Sequence, residues 1–303
     1  MAKIKPVHQM TIGQLETLFV DDDACKAYLK ARRWPEGVCC PRCGNPGVYD
    51  LKSRRWHWQC QQCTPDGYRF SVIAGTIFEN TNKPLRDWFR VIHMILTSKK
   101  GISALQVKRV MGFGSYETAW YMCHRIRAGL QDKEFRKLMG IVEVDETFVG
   151  GKAKNRHKDR RGGGDSTGGT GSGKTVIAGA VRRKGNVVAR VIENVRADTL
   201  TKFVCESVSN KVSLLVTDHW VGYKHLDKIF PQHEVINHAA HEYVVGAVHT
   251  NTIEGFWSIF KRGVVGTFHK VSKKYMPLYV AEFQFRYNNR ENADIFGTAI
   301  SGC

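Results

Sequence analysis

The sequence predicts an α/β chain in three successive parts. Three observations carry that expectation. Four cysteines fall in two Cys-x-x-Cys pairs near the start. Apolar residues then recur at helical spacing from Leu85 to about Arg127. From Ile141 onward, short β-branched runs alternate with helical stretches, the order of a sheet covered by helices. The expected spans are 1–80, 81–138 and 139–303.

Bulk composition narrows the partners. The 303 residues carry 46 Lys and Arg against 28 Asp and Glu, a formal charge of +18. That excess favours a polyanion such as nucleic acid. Apolar residues make up 42 %, enough for a packed core. No run of 18 apolar residues occurs and no signal peptide is visible, so neither a membrane role nor export is expected. The close cysteine pairs suit a reduced compartment, and the expected location is cytoplasmic, associated with the nucleoid.

Residues 8–30 read as a helical segment with Thr11 as a candidate cap. Cys40-Pro41-Arg42-Cys43-Gly44 and Cys60-Gln61-Gln62-Cys63 follow, with sixteen residues between the pairs. Two such knuckles bring four thiolates around one tetrahedral Zn²⁺ and leave no open position, so the metal is structural. Gly44 allows the backbone to turn back without a Cβ. Cys39 adjoins the first ligand and is a decoy. Arg42, Lys52, Arg54, Arg55 and Arg69 make the ribbon either a DNA-contacting module or a plain structural prop.

Pro84 opens a helix with Leu85, Trp88, Phe89, Ile92 and Ile95 on one face. Ser103 caps a second, Gly112 and Gly114 make a turn, and Ser115 or Tyr116 opens a third. The third carries His124, Arg125 and Arg127. A helix, a glycine turn and a basic helix make helix-turn-helix grammar. A three-helix connector is the plainer reading.

Ile141–Val149, then 175–181 and 187–192, read as three strands in a meander. A helix capped by Asp198, a buried strand at 212–216, a helical stretch from His219 to Phe230, and helices at 250–262 and 276–288 complete the chain. This is the element order of a ribonuclease-H-like α/β domain. In that topology the first and fourth strands are neighbours, which lets Asp145 meet Asp218.

Asp145 sits in an apolar strand, Asp218 ends another, and Glu254 lies on a helix with 35 residues between it and Asp218. Hard divalent cations take carboxylate oxygen, and two Mg²⁺ or Mn²⁺ ions activate the attacking oxygen and stabilise the leaving oxygen in phosphoryl transfer. Asp145 is expected to bridge both ions, Asp218 to hold one and Glu254 the other. Asn251 and Lys261 share a helix face with Glu254. Asn251 either orients the ligand or is the ligand, and Lys261 is a candidate phosphate contact. Glu143, Glu146, Glu242 and Glu282 compete for the acidic positions. Phe256 and Trp257 read as core anchors.

Gly168 to Thr175 satisfies the Walker A pattern, but a polar run precedes it and strand-forming residues follow it. Nucleotide binding is therefore not expected. The basic residues around it, from Lys152 to Arg161, suit a phosphate backbone.

The chain resembles the ISXO2-like (IS1595-family) bacterial transposases. The resemblance rests on the two cysteine pairs, on Val144-Asp145-Glu146-Thr147-Phe148-Val149-Gly150-Gly151-Lys152 and on Thr217-Asp218. It also rests on His249 to Ser258 with Lys261-Arg262, and on Tyr279 to Asn288. It implies a DDE enzyme that cleaves insertion-sequence ends and transfers strands, with magnesium, as a homo-oligomer on double-stranded DNA that includes terminal repeats and target. Its first two aspartates fall on Asp145 and Asp218. Its third position varies between branches, which leaves Asn251 and Glu254 as alternatives. Two other classes are kept: a non-catalytic DNA-binding regulator, and a structure-specific nuclease with a degenerate transposase fold.

Overall fold

The computed structural model describes residues 6–63, 65–132, 136–150, 174–236 and 249–303. The chain divides into two compact units: residues 1–131 with 291–303, and residues 132–290.

The first unit opens with two helices where one segment was expected. In α1 (Ile12–Leu18), Thr11 and Gln14 form a reciprocal capping box. The chain then turns, and Asp21 caps α2 (Asp22–Arg33) by accepting from Ala24 N–H. Acidic residues fill the first turn of α2 and basic ones its last, matching the helix dipole.

The ribbon is an antiparallel three-stranded sheet of β1 (Val48–Asp50), β2 (His57–Cys60) and β3 (Tyr68–Ser71). It is tied to α2 through Asp23, which accepts from Trp56 Nε1 at 2.8 Å and pairs with Arg55. Trp34 packs edge-on against Trp58, which stacks on Phe70.

Next come α3 (Leu85–Thr97), α4 (Ala104–Met111) and α5 (Tyr116–Gly129). Ser103 and Ser115 cap α4 and α5. Gly112 ends α4 at φ +66°, a left-handed conformation that glycine adopts without strain. The basic residues of α5 do not form an outer face. Arg127 is 1 % exposed and His124 is buried. Arg125 donates to the Glu79 carbonyl at 3.0 Å and lies over the Trp88 and Tyr121 rings.

A last helix, α9 (Ile295–Gly302), packs in this unit rather than in the segment 139–303 where it was expected. Phe296 stands among Phe19, Tyr28 and Phe89, and Arg32 pairs with Asp294.

The second unit is built on a five-stranded sheet in the order β6-β5-β4-β7-β8. Its strands are β4 (Ile141–Val149), β5 (Thr175–Arg182), β6 (Val187–Ile192), β7 (Leu214–Asp218) and β8 (His233–Ile236). β4, β5 and β6 form the antiparallel meander, and β7 pairs parallel with both β4 and β8.

One face of the sheet, with Val142, Val144, Ala178 and Ala180, packs on α6 (Ala197–Ser207) through Leu200, Phe203 and Val204. The other face, with Ile177, Val181, Val187 and Ala189, packs on α7 (Asn251–Gly263) and α8 (Met276–Asn288). Phe256 and Trp257 are core residues of that layer, as expected. α8 also covers the outer edge of β6. Asn288 accepts from Val187 N–H and donates to its carbonyl, and Gln284 accepts from Ala189 N–H. These amides satisfy groups that an open edge would present to other strands.

Three details differ from expectation. α6 begins before Asp198, which lies in its first turn, while Asn194 accepts from Arg196 N–H and Thr199 Oγ1 just upstream. Residues 219–230 form two short 3₁₀ turns, Val221–Tyr223 and Leu226–Lys228, not one helix. Strand β8 carried no clear sequence signal. Among the described residues, no helix is long and apolar enough to cross a membrane.

Candidate metal centres

In the first unit, the Sγ atoms of Cys40, Cys43, Cys60 and Cys63 all lie within 4.8 Å of one another. Three separations are 3.7, 3.6 and 3.5 Å. A tetrahedron with metal–sulfur bonds of about 2.3 Å has edges of about 3.8 Å, so the cluster fits Zn²⁺. Local backbone chemistry shapes it. Gly44, at φ +74°, donates its N–H to the Cys40 carbonyl at 2.8 Å. Asn45 Nδ2 points at Cys60 Sγ, 3.8 Å away, and steadies a thiolate. Cys39 stands outside the cluster.

In the second unit, Asp145, midway along β4, and Asp218, at the end of β7, meet where the parallel β4–β7 ladder ends. The β4–β7 pairing ends at Val144 with Thr217, so the next residues on the two strands are Asp145 and Asp218. Both are half-buried. Burial pushes the Asp145 carboxyl up to about 7, and the charges of Glu146, Asp218 and Glu254 add to the rise. Glu254, the weakest of these influences, is exposed in the first turn of α7. Thr250 Oγ1 donates to Glu254 Oε1 at 3.0 Å and orients it.

The competitors separate by strand alternation. Glu146 points to the opposite face, where Tyr223 Oη donates to its Oε2 at 2.6 Å. Its pKa is raised, first by burial and then by Asp218, with the tyrosine hydrogen bond opposing. Glu143 shares the face of Asp145 but is wholly buried and fully engaged. Its Oε2 accepts from the backbone N–H groups of Thr252 and Ile253, and its Oε1 accepts from Thr252 Oγ1 and Arg183 Nε. Glu282 is ion-paired with Arg286 on α8. Asn251, the first residue of α7, is exposed, and so is Lys261, about 15 Å further along the helix axis at 1.5 Å per residue. Glu242, the basic residues between Lys152 and Arg161, and the glycine run from Gly168 to Gly173 lie outside the described residues. Thr175 opens β5, so a strand follows the Walker-like motif where a phosphate loop needs a helix.

One residue that sequence reasoning missed is Gly179, paired directly across from Asp145 on β5. A Cβ there would come within 2.5 Å of the Trp257 ring and 3.1 Å of Ile253. Its lack of a side chain lets α7 lie close against the sheet beside Asp145.

The comparisons with known proteins agree with this division. Residues 137–288 match the ISXO2-like transposase domain, and residues 20–65 match the transposase zinc-ribbon domain. A protein of Halobacterium salinarum described as an uncharacterized protein in transposable element ISH50 is 28 % identical over 277 residues, covering 88 % of this chain and 91 % of its own. An uncharacterized transposase-like protein of Haemophilus influenzae is 32 % identical over 108 residues, covering 36 % of this chain and 85 % of its own. With a zinc ribbon ahead of a matching domain that fills half its length, this chain belongs to the ISXO2-like transposase family.

Proposed function

We propose that the chain is an insertion-sequence transposase that cleaves DNA at the element's ends and joins those ends to target DNA. The observation that carries this reading is the parallel pairing of β4 with β7, which sets Asp145 beside Asp218, with Glu254 in electrostatic reach. The strand order, with the first and fourth strands of the unit adjacent, supports a ribonuclease-H-like catalytic fold.

Asp145 and Asp218 are half-buried on neighbouring strands and Glu254 is exposed on α7. Carboxylates brought toward one another repel, and a hard cation relieves that repulsion. Asp145, Asp218 and Glu254 therefore fit Mg²⁺ or Mn²⁺. A pair of such ions, when bound, supplies activation of the attacking oxygen and charge stabilisation of the leaving oxygen. Glu254 is favoured over Asn251 as third ligand because an ionised carboxylate holds a hard divalent cation better than a neutral amide does. In the reaction, a water oxygen attacks phosphorus, the P–O bond to the departing 3′-oxygen breaks in line, and a 3′-hydroxyl is freed. That hydroxyl then loses its proton and attacks a target phosphate in line. The bond from that phosphorus to the target strand's 3′-oxygen breaks, the departing oxygen takes up a proton as a new 3′-hydroxyl, and no covalent bond to protein forms. Lys261 and the basic surface hold phosphates, so the protein's work is positioning. The ribbon and helical segment serve DNA binding, and the enzyme acts as a homo-oligomer on its DNA.

The test uses the zinc-loaded chain with DNA carrying the element's ends. Mg²⁺-dependent nicking followed by joining of a 3′-hydroxyl end to a second duplex supports a transposase. Nicking without joining leaves a nuclease, and DNA binding without nicking leaves a regulator.

A further inference from the structure

Helix α7 starts without a cap of its own. The side chain of its N-cap residue, Thr250, makes no capping hydrogen bond and is turned instead onto Glu254. The first N–H groups of a helix need acceptors, and a carboxylate is the strongest one available there. Glu143 supplies it from another element. From β4 its Oε2 takes the N–H groups of Thr252 at 2.8 Å and Ile253 at 3.0 Å. Its Oε1 takes Thr252 Oγ1 at 2.9 Å and Arg183 Nε at 2.6 Å, and lies 3.2 Å from His249 Nδ1. Arg183 also donates to the His249 carbonyl at 2.8 Å, fixing the chain just before the helix.

The location gives this clamp its meaning. Glu143 is two residues from Asp145 on the same strand face, and its partner Ile253 is next to Glu254. The strand holding one candidate ligand is thus fastened to the helix holding another, within one residue pair of each.

We propose that Glu143 is a positioning residue for the metal site. It caps α7 from β4 and so sets the separation between Glu254 and the Asp145–Asp218 pair. The inference rests on reading those three carboxylates as the cation ligands.

The experiment measures Mn²⁺ affinity by electron paramagnetic resonance on the zinc-loaded full chain, in Glu143→Gln, Glu143→Ala, Thr252→Ala and Asp145→Asn. Zinc content and circular dichroism report folding. Glu143→Gln keeps the volume but loses the charge and one acceptor oxygen. It should weaken Mn²⁺ by about tenfold or more, as loss of an outer-shell partner does, with zinc retained. Thr252→Ala, which removes one of the four hydrogen bonds, should weaken it less and serves where the Glu143 variants fail to fold. If folded Glu143 and Thr252 variants bind Mn²⁺ as the parent does while Asp145→Asn does not, the positioning role is overturned and the metal site stands. A lowered melting temperature with unchanged affinity overturns it too, since that is a structural role alone. If Asp145→Asn also leaves affinity unchanged, the metal reading itself falls and the inference with it.

Discussion

Asp145 and Asp218 each stand one residue beyond the Val144–Thr217 pair that ends the parallel β4–β7 ladder. Sequence places them 73 residues apart (218 − 145), and strand pairing makes them neighbours. Replacing either with asparagine should reduce Mg²⁺-dependent nicking by about 10²-fold or more, the scale of losing one charge-stabilising group. A gel-shift assay should show DNA binding largely kept. Wild-type nicking by Asp145→Asn would remove it from the reaction.

The raised pKa of Asp145 gives the metal-free site a pH signature. An acid whose pKa rises on folding stabilises the fold while protonated. That contribution is complete below its ordinary value of 3.8 and is lost as pH climbs through about 7. The metal-free protein should therefore lose stability from this group across that window. Mg²⁺ should recover stability most strongly above it. Its affinity should rise by up to about tenfold per pH unit before levelling near 7, because one proton must leave. Melting curves with and without Mg²⁺ at pH 5, 6, 7 and 8 check this, and a flat Mg²⁺ effect would contradict it.

Gly179 is the socket for Trp257. A Gly179→Ala substitution forces the indole or the helix outward and should destabilise the chain by about 1–3 kcal/mol through overpacking. Because Glu254 lies one turn from Trp257, the same change should also lower nicking at temperatures where the protein remains folded. Chemical denaturation and single-turnover nicking, run in parallel, separate the two effects.

Serine at Cys40 and Cys43 should abolish zinc retention, and with it much of the ribbon's order, since a sheet this small depends on its metal. Metal analysis after dialysis gives the answer. Stoichiometric zinc in the double variant would exclude these ligands.

The helical segment yields a contrast between two sets of basic residues. Lys99, Lys100 and Arg109 are exposed. Changing them together to alanine should weaken DNA binding and flatten its salt dependence by roughly one slope unit per lost phosphate contact. Changing Arg127, buried in α5, should instead lower the melting temperature. Equal effects of both sets on DNA affinity would argue against this division.

Much of this architecture was legible in the residues because local chemistry dictates it. The β-branched runs of β4, β5 and β6 and the capping serines before α4 and α5 announce themselves. The paired cysteines do so too, since their spacing is the spacing of a chelate. What stayed hidden depends on distant partners. Glu143 looks like a rival to Asp145 until the N–H groups of Thr252 and Ile253 come to it across more than a hundred residues of chain. Arg125 and Arg127 look like a DNA-facing set until their stems are seen to pack inward, which long basic side chains do readily. His233 to Ile236 has no periodicity to mark it as a strand; it is made one by the neighbouring β7.

The return of α9 to the first unit bears on how the protein is made. Phe296 completes the aromatic cluster of Phe19, Tyr28 and Phe89, yet it is translated after the whole of the second unit. A nascent chain therefore carries an unfinished N-terminal core until α9 has emerged from the ribosome. A chain interrupted before residue 295 lacks Phe296 and leaves the aromatic cluster of Phe19, Tyr28 and Phe89 incomplete.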